Sequence, residues 1–179
     1  LIREGIVFDE LDKVALEGTE THSIKVRLGK SEWIYLTNVY TPPPHTTGQD
    51  VIKLRTDLIP TFSSSLICGD LNAHHKLWDG IQPEDDRGNQ VLDWVLDKEL
   101  TILNEGSPTR VNRATGNEST PDLTLCGSKW ADKITWHTLE GIGSSDHSPI
   151  CITISAEVQH QSVFGSQARL RSNGVDWGK

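Results

Sequence analysis

The sequence predicts an α/β fold in which two mixed sheets pack face to face with helices on the outside. Residues 6–40 favour consecutive strands; for example, Ile24, Val26 and Leu28 alternate with polar residues, as in a strand with one solvent-exposed face. Beyond residue 49, strand and helix patterns alternate, as expected where helices cover a sheet. The length of 179 residues indicates one domain with a substantial core.

Strands are predicted from short apolar or alternating runs bounded by turn residues. In chain order they are Ile6–Phe8, Val14–Leu16, Ser23–Leu28, Glu32–Tyr40, Ser65–Cys68, Thr101–Asn104, Pro108–Val111, Pro121–Cys126, Lys133–His137 and Ile150–Ile154. Proline cannot donate a hydrogen bond to a strand ladder, so Pro42–Pro44 should end the strand before it.

Two helices are predicted from apolar residues at helical spacing. The first spans roughly Gln49–Phe62, where Pro60 disturbs its end. The second spans Asn89–Leu100 and presents an apolar stripe that begins with Val91 and Leu92. The predicted domain is 1–155, and the residues rich in Ser, Gln, Asn and Gly at 156–179 are expected to form a linker or disordered tail.

Composition limits the function classes. A net charge of −8 argues against a protein that coats nucleic acid, yet permits an enzyme that contacts a few phosphates through metal ions and neutral donors. No signal peptide or transmembrane segment is recognised, so no membrane partner is expected. Three cysteines without metal-type spacing predict reduced, buried thiols in an intracellular protein.

The start of the chain suggests a piece of a longer protein. Leu1 is the first residue, and the sequence contains no Met. The stretch Leu1–Phe8 also has the pattern of a chain that is already inside a sheet. We therefore expect a fragment.

The segment Gly69–His75 follows an apolar strand and brings acid, amide and imidazole groups into a few positions. Asp70 and Asn72 would lie on one side if strand geometry continued. Gly, Asp and Asn are also common turn residues, so a simple turn is the structural alternative. His74 and His75 would point to opposite faces, so we assign His74 to loop structure and expect no zinc site.

Polar groups at other strand ends decide between these alternatives. They are Asn38 and Tyr40, Asp122, and Asp146 with His147. Each has an ordinary explanation, such as a turn acid or a local cap, but their joint occurrence is unlikely to be accidental.

The chain resembles the endonuclease/exonuclease/phosphatase superfamily. The resemblance covers about residues 1–155 and is carried by four motifs in the order of that family: Asn38–Pro43, Cys68–His74, Asp122–Leu123 and Ser145–Pro149. Within the superfamily, Leu77–Trp78, Arg87–Gly88 and Ser119–Thr124 are similar to the apurinic-type endonuclease domain of non-LTR retrotransposons of the jockey and R-element kind.

The resemblance implies a four-layer α/β/β/α sandwich and hydrolysis of phosphodiester bonds in DNA. It implies Mg²⁺ as cofactor, with Mn²⁺ as a substitute, and a parent polyprotein with a reverse transcriptase domain in the nucleus. The implied catalytic residues are Asp70 as general base, Asn72 and Tyr40 as donors to the phosphate, and His147 oriented by Asp122. Asp146 is the implied metal ligand, and the implied DNA or supporting contacts are Asn38, Thr109, Ser119 and Ser145.

One departure from the family pattern concerns the metal. The family has a metal-binding Glu, and an Asn before it, on strands that would precede Leu1. We therefore expect an incomplete N-terminal part of the fold and weak or absent nicking by this chain alone. A phosphatase or phospholipase of the same superfamily, and a degenerate non-catalytic remnant, are the alternatives.

Overall fold

The computed structural model describes residues 1–43, 54–139 and 144–155. One α-helix is present in these ranges: α1, Asp86–Asp97. The strands are β1 (Phe8–Leu16), β2 (Thr19–Leu28), β3 (Glu32–Tyr40), β4 (Ser65–Asp70), β5 (Thr101–Ile102), β6 (Arg110–Val111), β7 (Glu118–Ser119), β8 (Asp122–Cys126), β9 (Ile134–Thr138) and β10 (Ile150–Ile154).

Six strands form the main sheet in the order β1-β2-β3-β4-β8-β5. The pair β3–β4 is parallel and the other pairs are antiparallel, so the sheet is mixed. The strands β9 and β10 form a second antiparallel sheet, and β6 pairs with β7. The predicted α/β class with a mixed sheet is confirmed, whereas the second sheet is antiparallel within the described residues.

Helix α1 covers one face of the main sheet. Its Val91, Trp94 and Val95 are buried in a core that includes Ile67 of β4 and Leu125 of β8. The helix begins three residues earlier than the periodicity predicted. The reason is the cap: the Asp85 carboxylate accepts the backbone N–H of Gly88 and so satisfies a donor of the first turn.

The opposite face of the main sheet packs against β9 and β10. Ile34 and Leu66 of the main sheet lie with the buried Trp130 in a second core, against which Ile134 and Ile152 pack. The described ranges thus contain three of the four predicted layers: helix, large sheet and small sheet. In these ranges, no helix is both long and apolar enough to cross a membrane.

The predicted helix Gln49–Phe62 is wrong wherever the structure describes it. Residues 49–53 and the predicted tail at 156–179 lie outside the described residues, and 54–62 contain only a 3₁₀ turn at Thr56–Leu58. Tertiary contacts explain the difference. The Arg55 N–H donates to Thr19 Oγ1, and Gln90 Nε2 donates to the carbonyl of Leu54, so these residues bind β2 and α1 through their backbone.

Two smaller predictions also need correction. The two predicted strands before residue 17 are one strand, because a register shift between Glu10 and Lys13 lets β1 stay paired with β2. All three cysteines are free, but Cys126 alone among them is fully buried, while Cys68 and Cys151 keep part of their surface in solvent.

Candidate active site

Strands β3 and β4 end, and the antiparallel strand β8 begins, at the same edge of the main sheet, where Tyr40 pairs with Asp70 and Asp70 pairs with Asp122. Gly69 makes this edge possible. A Cβ atom at residue 69 would lie 1.8 Å from the Val39 carbonyl oxygen, so only glycine fits between β3 and Asp70. The register of three strands therefore places two carboxylates side by side with a phenol beside them.

Asn72 leaves β4 in a tight turn. Its φ of 45° is left-handed, a conformation that Asn tolerates better than most residues. Its backbone N–H donates to Asp70 Oδ1 over 3.1 Å, and its side-chain Nδ2 donates to the Thr41 carbonyl over 2.9 Å. An amide NH₂ has two hydrogens, and the Asn72 side chain also interacts with the Asp70 carboxylate, which partly offsets the rise in the pKa of Asp70. A ligand would share or replace that contact.

Asp122 is bonded to His147, as the resemblance implied. His147 Nδ1 lies 2.8 Å from Asp122 Oδ2, and the Thr109 hydroxyl donates to the same oxygen over 2.7 Å. The loop that carries His147 is held by a β-bridge between Arg110 and His147 and by the Ser148 N–H, which donates to the Thr109 carbonyl over 2.8 Å. The strand β6 thus brings Thr109 and His147 to the same edge.

The electrostatics of the cluster favour a cation. Ligand atoms of Asp70, Asp122 and His147 all lie within 4.8 Å of one another. Burial and the negative charge of Asp122 raise the pKa of Asp70 above its ordinary value. Two carboxylates and an imidazole form a suitable donor set for a divalent ion, which would relieve this repulsion. The residues present therefore fit a metal site.

Asp146, the predicted metal ligand, makes a different contact. Arg110 Nε donates to Asp146 Oδ2 over 2.8 Å, and this bond lowers the pKa of Asp146. Among the other predicted residues, the Ser145 hydroxyl accepts the His147 N–H over 3.1 Å. The Ser119 carbonyl accepts the Thr109 N–H over 3.0 Å.

Asn38 and Tyr40 are solvent-exposed and lie on the same face of β3, two residues apart. Asn38 pairs with Cys68 of β4, two residues inward from the pair formed by Tyr40 and Asp70. The structure thus brings Tyr40, Asp70, Asn72, Asp122 and His147 to one edge of the sheet, with Asn38 beside them.

Sequence reasoning missed two side chains that support this edge. Asn104 Nδ2 donates to the Asp122 carbonyl over 2.9 Å, and Asn104 Oδ1 accepts the Thr124 N–H over 2.8 Å. Its position at a predicted strand end was the available signal. The other is Arg110, which lies in the predicted strand Pro108–Val111 and binds the Asp146 carboxylate.

The two histidines after Asn72 lie in the loop, as predicted for His74. His74 Nδ1 is 2.7 Å from Asp79 Oδ2, and the buried His75 ring lies beside Trp78, with ring centroids 5.2 Å apart. Neither belongs to the cluster of possible metal ligands found among the described residues.

The helix, the two packed sheets and the cluster of acidic and imidazole side chains at one edge of the main sheet together indicate the class of protein. It is an α/β domain of the nuclease type. Residues 34–151 match the family model described as endonuclease-reverse transcriptase, and the chain belongs to that family. The predicted family resemblance is confirmed.

A solved structure shares the fold. The endonuclease domain of TRAS1, a telomere-specific non-LTR retrotransposon, superposes with a TM-score of 0.63 at 22% sequence identity. The match covers 84% of this chain and 67% of that one. No curated protein sequence matches the chain significantly.

Proposed function

We propose that the protein is a divalent-metal-dependent DNA endonuclease that nicks target DNA for retrotransposon integration. The observation that carries the proposal is the meeting of Asp70 and Asn72 with the hydrogen-bonded pair of Asp122 and His147 at one sheet edge. Membership in the endonuclease-reverse transcriptase family supports DNA as substrate and a linked reverse transcriptase domain in the parent protein. A nuclear location follows from that role.

Asp70 is the proposed general base. A carboxylate that removes a proton from water works best when its pKa lies nearer the working pH than that of an ordinary Asp. Burial and the charge of Asp122 shift the pKa of Asp70 in that direction. Asp70 would therefore deprotonate the water that attacks the phosphorus atom.

Neutral donors would hold the phosphate. The second Nδ2 hydrogen of Asn72 and the Tyr40 hydroxyl can each donate to a phosphoryl oxygen without adding negative charge. His147 is bonded through Nδ1 to Asp122, which leaves Nε2 as the nitrogen directed to the substrate. The Asp122 carboxylate and the Nδ1 hydrogen bond hold the imidazole ring in the orientation that directs Nε2 to the phosphate.

Mg²⁺, or Mn²⁺ in its place, would supply positive charge that offsets the charge developing on the phosphoryl oxygens. The carboxylates of Asp70 and Asp122 lie close enough together for such an ion to bind beside them, while Nε2 of His147 stays directed to the substrate. Asp146 can join them if Arg110 exchanges its carboxylate partner for a phosphate group. Such a cation also explains how a chain of net charge −8 binds DNA.

A plasmid-nicking assay tests the proposal. The chain is incubated with supercoiled DNA in Mg²⁺, in Mn²⁺ and in EDTA. We expect slow nicking in either metal and none in EDTA. Asp70→Ala should reduce the rate by about 10²-fold or more, because general-base catalysis supplies a factor of this order.

The matched control is Asp93→Ala, which removes an exposed carboxylate on α1 and should leave nicking unchanged. Equal nicking by the parent chain and Asp70→Ala would contradict the proposal. Inositol phosphates and phospholipids are assayed in parallel. Their hydrolysis without any cleavage of DNA would instead favour a phosphatase or phospholipase.

A further inference from the structure

Arg87 is a buried cation close to the proposed active site. It lies in the first turn of α1 and is 2% exposed. Burying a guanidinium is unfavourable unless its N–H groups find acceptors. Its Nη1 donates to three backbone carbonyls: that of Pro42 over 2.8 Å, and those of Leu71 and Asn72 over 3.3 Å each.

These three carbonyls belong to the two chain segments that leave the active-site edge. Pro42 follows β3 and Tyr40, whereas Leu71 and Asn72 follow β4 and Asp70. The buried guanidinium therefore joins the chain segments that follow two neighbouring strands. The hydrogen bond from Asn72 Nδ2 to the Thr41 carbonyl joins the same two segments.

The conformation of Asn72 needs such support. A φ of 45° is unfavourable for any residue with a Cβ atom, and it persists only where neighbouring contacts hold it. Asp70 Oδ1 accepts the N–H of Asn72 on one side of the turn. Arg87 binds the carbonyl of the same residue on the other side. Together these bonds set the direction of the Asn72 amide.

Arg87 can contact these carbonyls because the start of α1 packs closely against the loop that follows Asn72. A Cβ atom at Gly88 would lie 2.0 Å from the His74 carbonyl oxygen, so the helix approaches the loop backbone directly. Asp85 Oδ1 accepts both the Gly88 N–H over 2.6 Å and the His74 N–H over 3.2 Å. The start of the helix and the loop after Asn72 are thereby held as one unit.

We infer that Arg87 is a positioning residue that acts through Asn72, holding its amide in the direction that the reacting phosphate requires. This inference rests on the proposed function. Because Arg87 touches backbone and not substrate, its loss should lower kcat and leave KM for DNA largely unchanged. A displacement of about 1 Å in a catalytic group can reduce a rate by roughly 10²-fold.

The experiment combines Arg87→Lys and Arg87→Met with Asn72→Ala. Lysine keeps the charge and a donor, so it should lower kcat about tenfold, and methionine should lower it about 10²-fold. If Arg87 acts through Asn72, the Arg87 substitutions should have little further effect once Asn72 is alanine. Arg27→Met is the matched control, because Arg27 also donates to backbone carbonyls, those of Gly29 and Lys30, in the β2–β3 turn.

A second measurement does not depend on activity. In ¹⁵N-labelled protein, the side-chain amide signals of Asn72 are those missing from Asn72→Ala. In Arg87→Lys they should shift and exchange with solvent faster, whereas in Arg27→Met they should not change. Because this measurement needs no cleavage, it decides the role of Arg87 even if the unsubstituted chain cuts no DNA, a result that bears on the proposed function alone.

The inference is wrong if folded Arg87→Met retains unchanged Asn72 signals. It is also wrong if the kcat losses from Arg87 and Asn72 multiply independently. Should Arg87→Met fail to fold, Arg87→Lys, checked for folding by circular dichroism, provides the same two comparisons.

Discussion

The molecule contains two Asp–His pairs with nearly the same geometry and different surroundings. In the pair formed by Asp79 and His74, the Oδ2–Nδ1 distance is 2.7 Å, and Asp79 is 1% exposed. Its carboxylate also accepts three backbone N–H groups, from Thr120 over 3.0 Å and from Ile81 and Gln82 over 3.1 Å each. The partners named for the Asp79 carboxylate, His74 and three backbone N–H groups, are all groups of the protein itself.

In the pair formed by Asp122 and His147, the corresponding distance is 2.8 Å, but the environment is open. The side chains are 17% and 33% exposed, respectively. Apart from His147, the side chain that donates to the Asp122 carboxylate is Thr109. The first pair ties the loop after Asn72 to the segment before β8. The second pair has a partly exposed carboxylate, which the proposed contact with a substrate requires. The two histidines are similarly exposed, at 26% and 33%, so the exposure of the carboxylate is what separates the two pairs.

Removing the open pair should have the largest effect. Asp122→Ala leaves His147 without its orienting carboxylate, and kcat for nicking should fall about 10²- to 10⁴-fold. The free energy of unfolding should change little, because the two side chains are partly solvated. Nicking kinetics and urea denaturation measure the two effects. A large loss of stability with normal kcat would reverse the assignment of the two pairs.

Removing the closed pair should affect stability instead. Asp79→Ala leaves the buried N–H of Thr120 and two partly buried N–H groups without their acceptor, and the free energy of unfolding should fall by about 2–4 kcal/mol at pH 7. Below the unfolding transition the variant should nick DNA within a few-fold of the parent rate. A catalytic loss as large as that of Asp122→Ala would contradict the comparison.

The closed pair also predicts a pH dependence. Burial alone would raise the pKa of Asp79, but the Thr120 N–H and His74 outweigh it, and the net pKa is lowered. A carboxyl with a lowered pKa stabilises the fold above its unfolded pKa of about 3.9, and this stability is lost as the pH falls through the folded value.

The difference in unfolding free energy between the parent chain and Asp79→Asn should therefore be constant near neutrality. It should shrink below about pH 4. Urea titrations from pH 7 to pH 2.5 measure this difference. A difference that persists unchanged at the lowest pH would show that the charge of Asp79 is not the stabilising feature.

The smallest effect concerns an exposed contact between the same loops. Gln82 Nε2 donates to the Glu118 carbonyl over 2.9 Å at the surface. Gln82→Ala should lower the free energy of unfolding by no more than about 1 kcal/mol, and it should leave nicking unchanged. A loss of unfolding free energy as large as that of Asp79→Ala would show that solvent exposure does not determine how strongly these loop contacts stabilise the fold.

Local patterns in the sequence were enough to predict much of this fold. The apolar spacing of Val91 and Val95 located α1, and alternation located the strands of the main sheet. The same patterns failed at residues 54–59, where Leu54 and Ile59 are buried as predicted but lie outside a helix. There the hydrogen bonds to β2 and α1 outweigh helical propensity, and local sequence patterns do not predict contacts between residues so far apart in the chain.

The candidate site likewise contains residues that the sequence predicted and contacts that it did not. Asp70 and Asn72 were found because they stand in one short motif, and the contact of Asp122 with His147 was implied by the family resemblance. The partners of Asp79 and Arg87 were not predicted. Thr120 is 41 residues from Asp79 and Pro42 is 45 residues from Arg87, and both are bound through backbone atoms that any residue type would offer.

The close contact at Gly69 matters when related copies of this domain are compared. Any side chain at residue 69 would push the Val39 carbonyl away and separate Tyr40 from Asp70, even if every residue with proposed chemistry remained. The loss of this glycine would therefore mark an inactivated copy whose acids, amide and histidine are still intact. A position without functional groups is thus as informative about nuclease competence as the residues proposed to be catalytic.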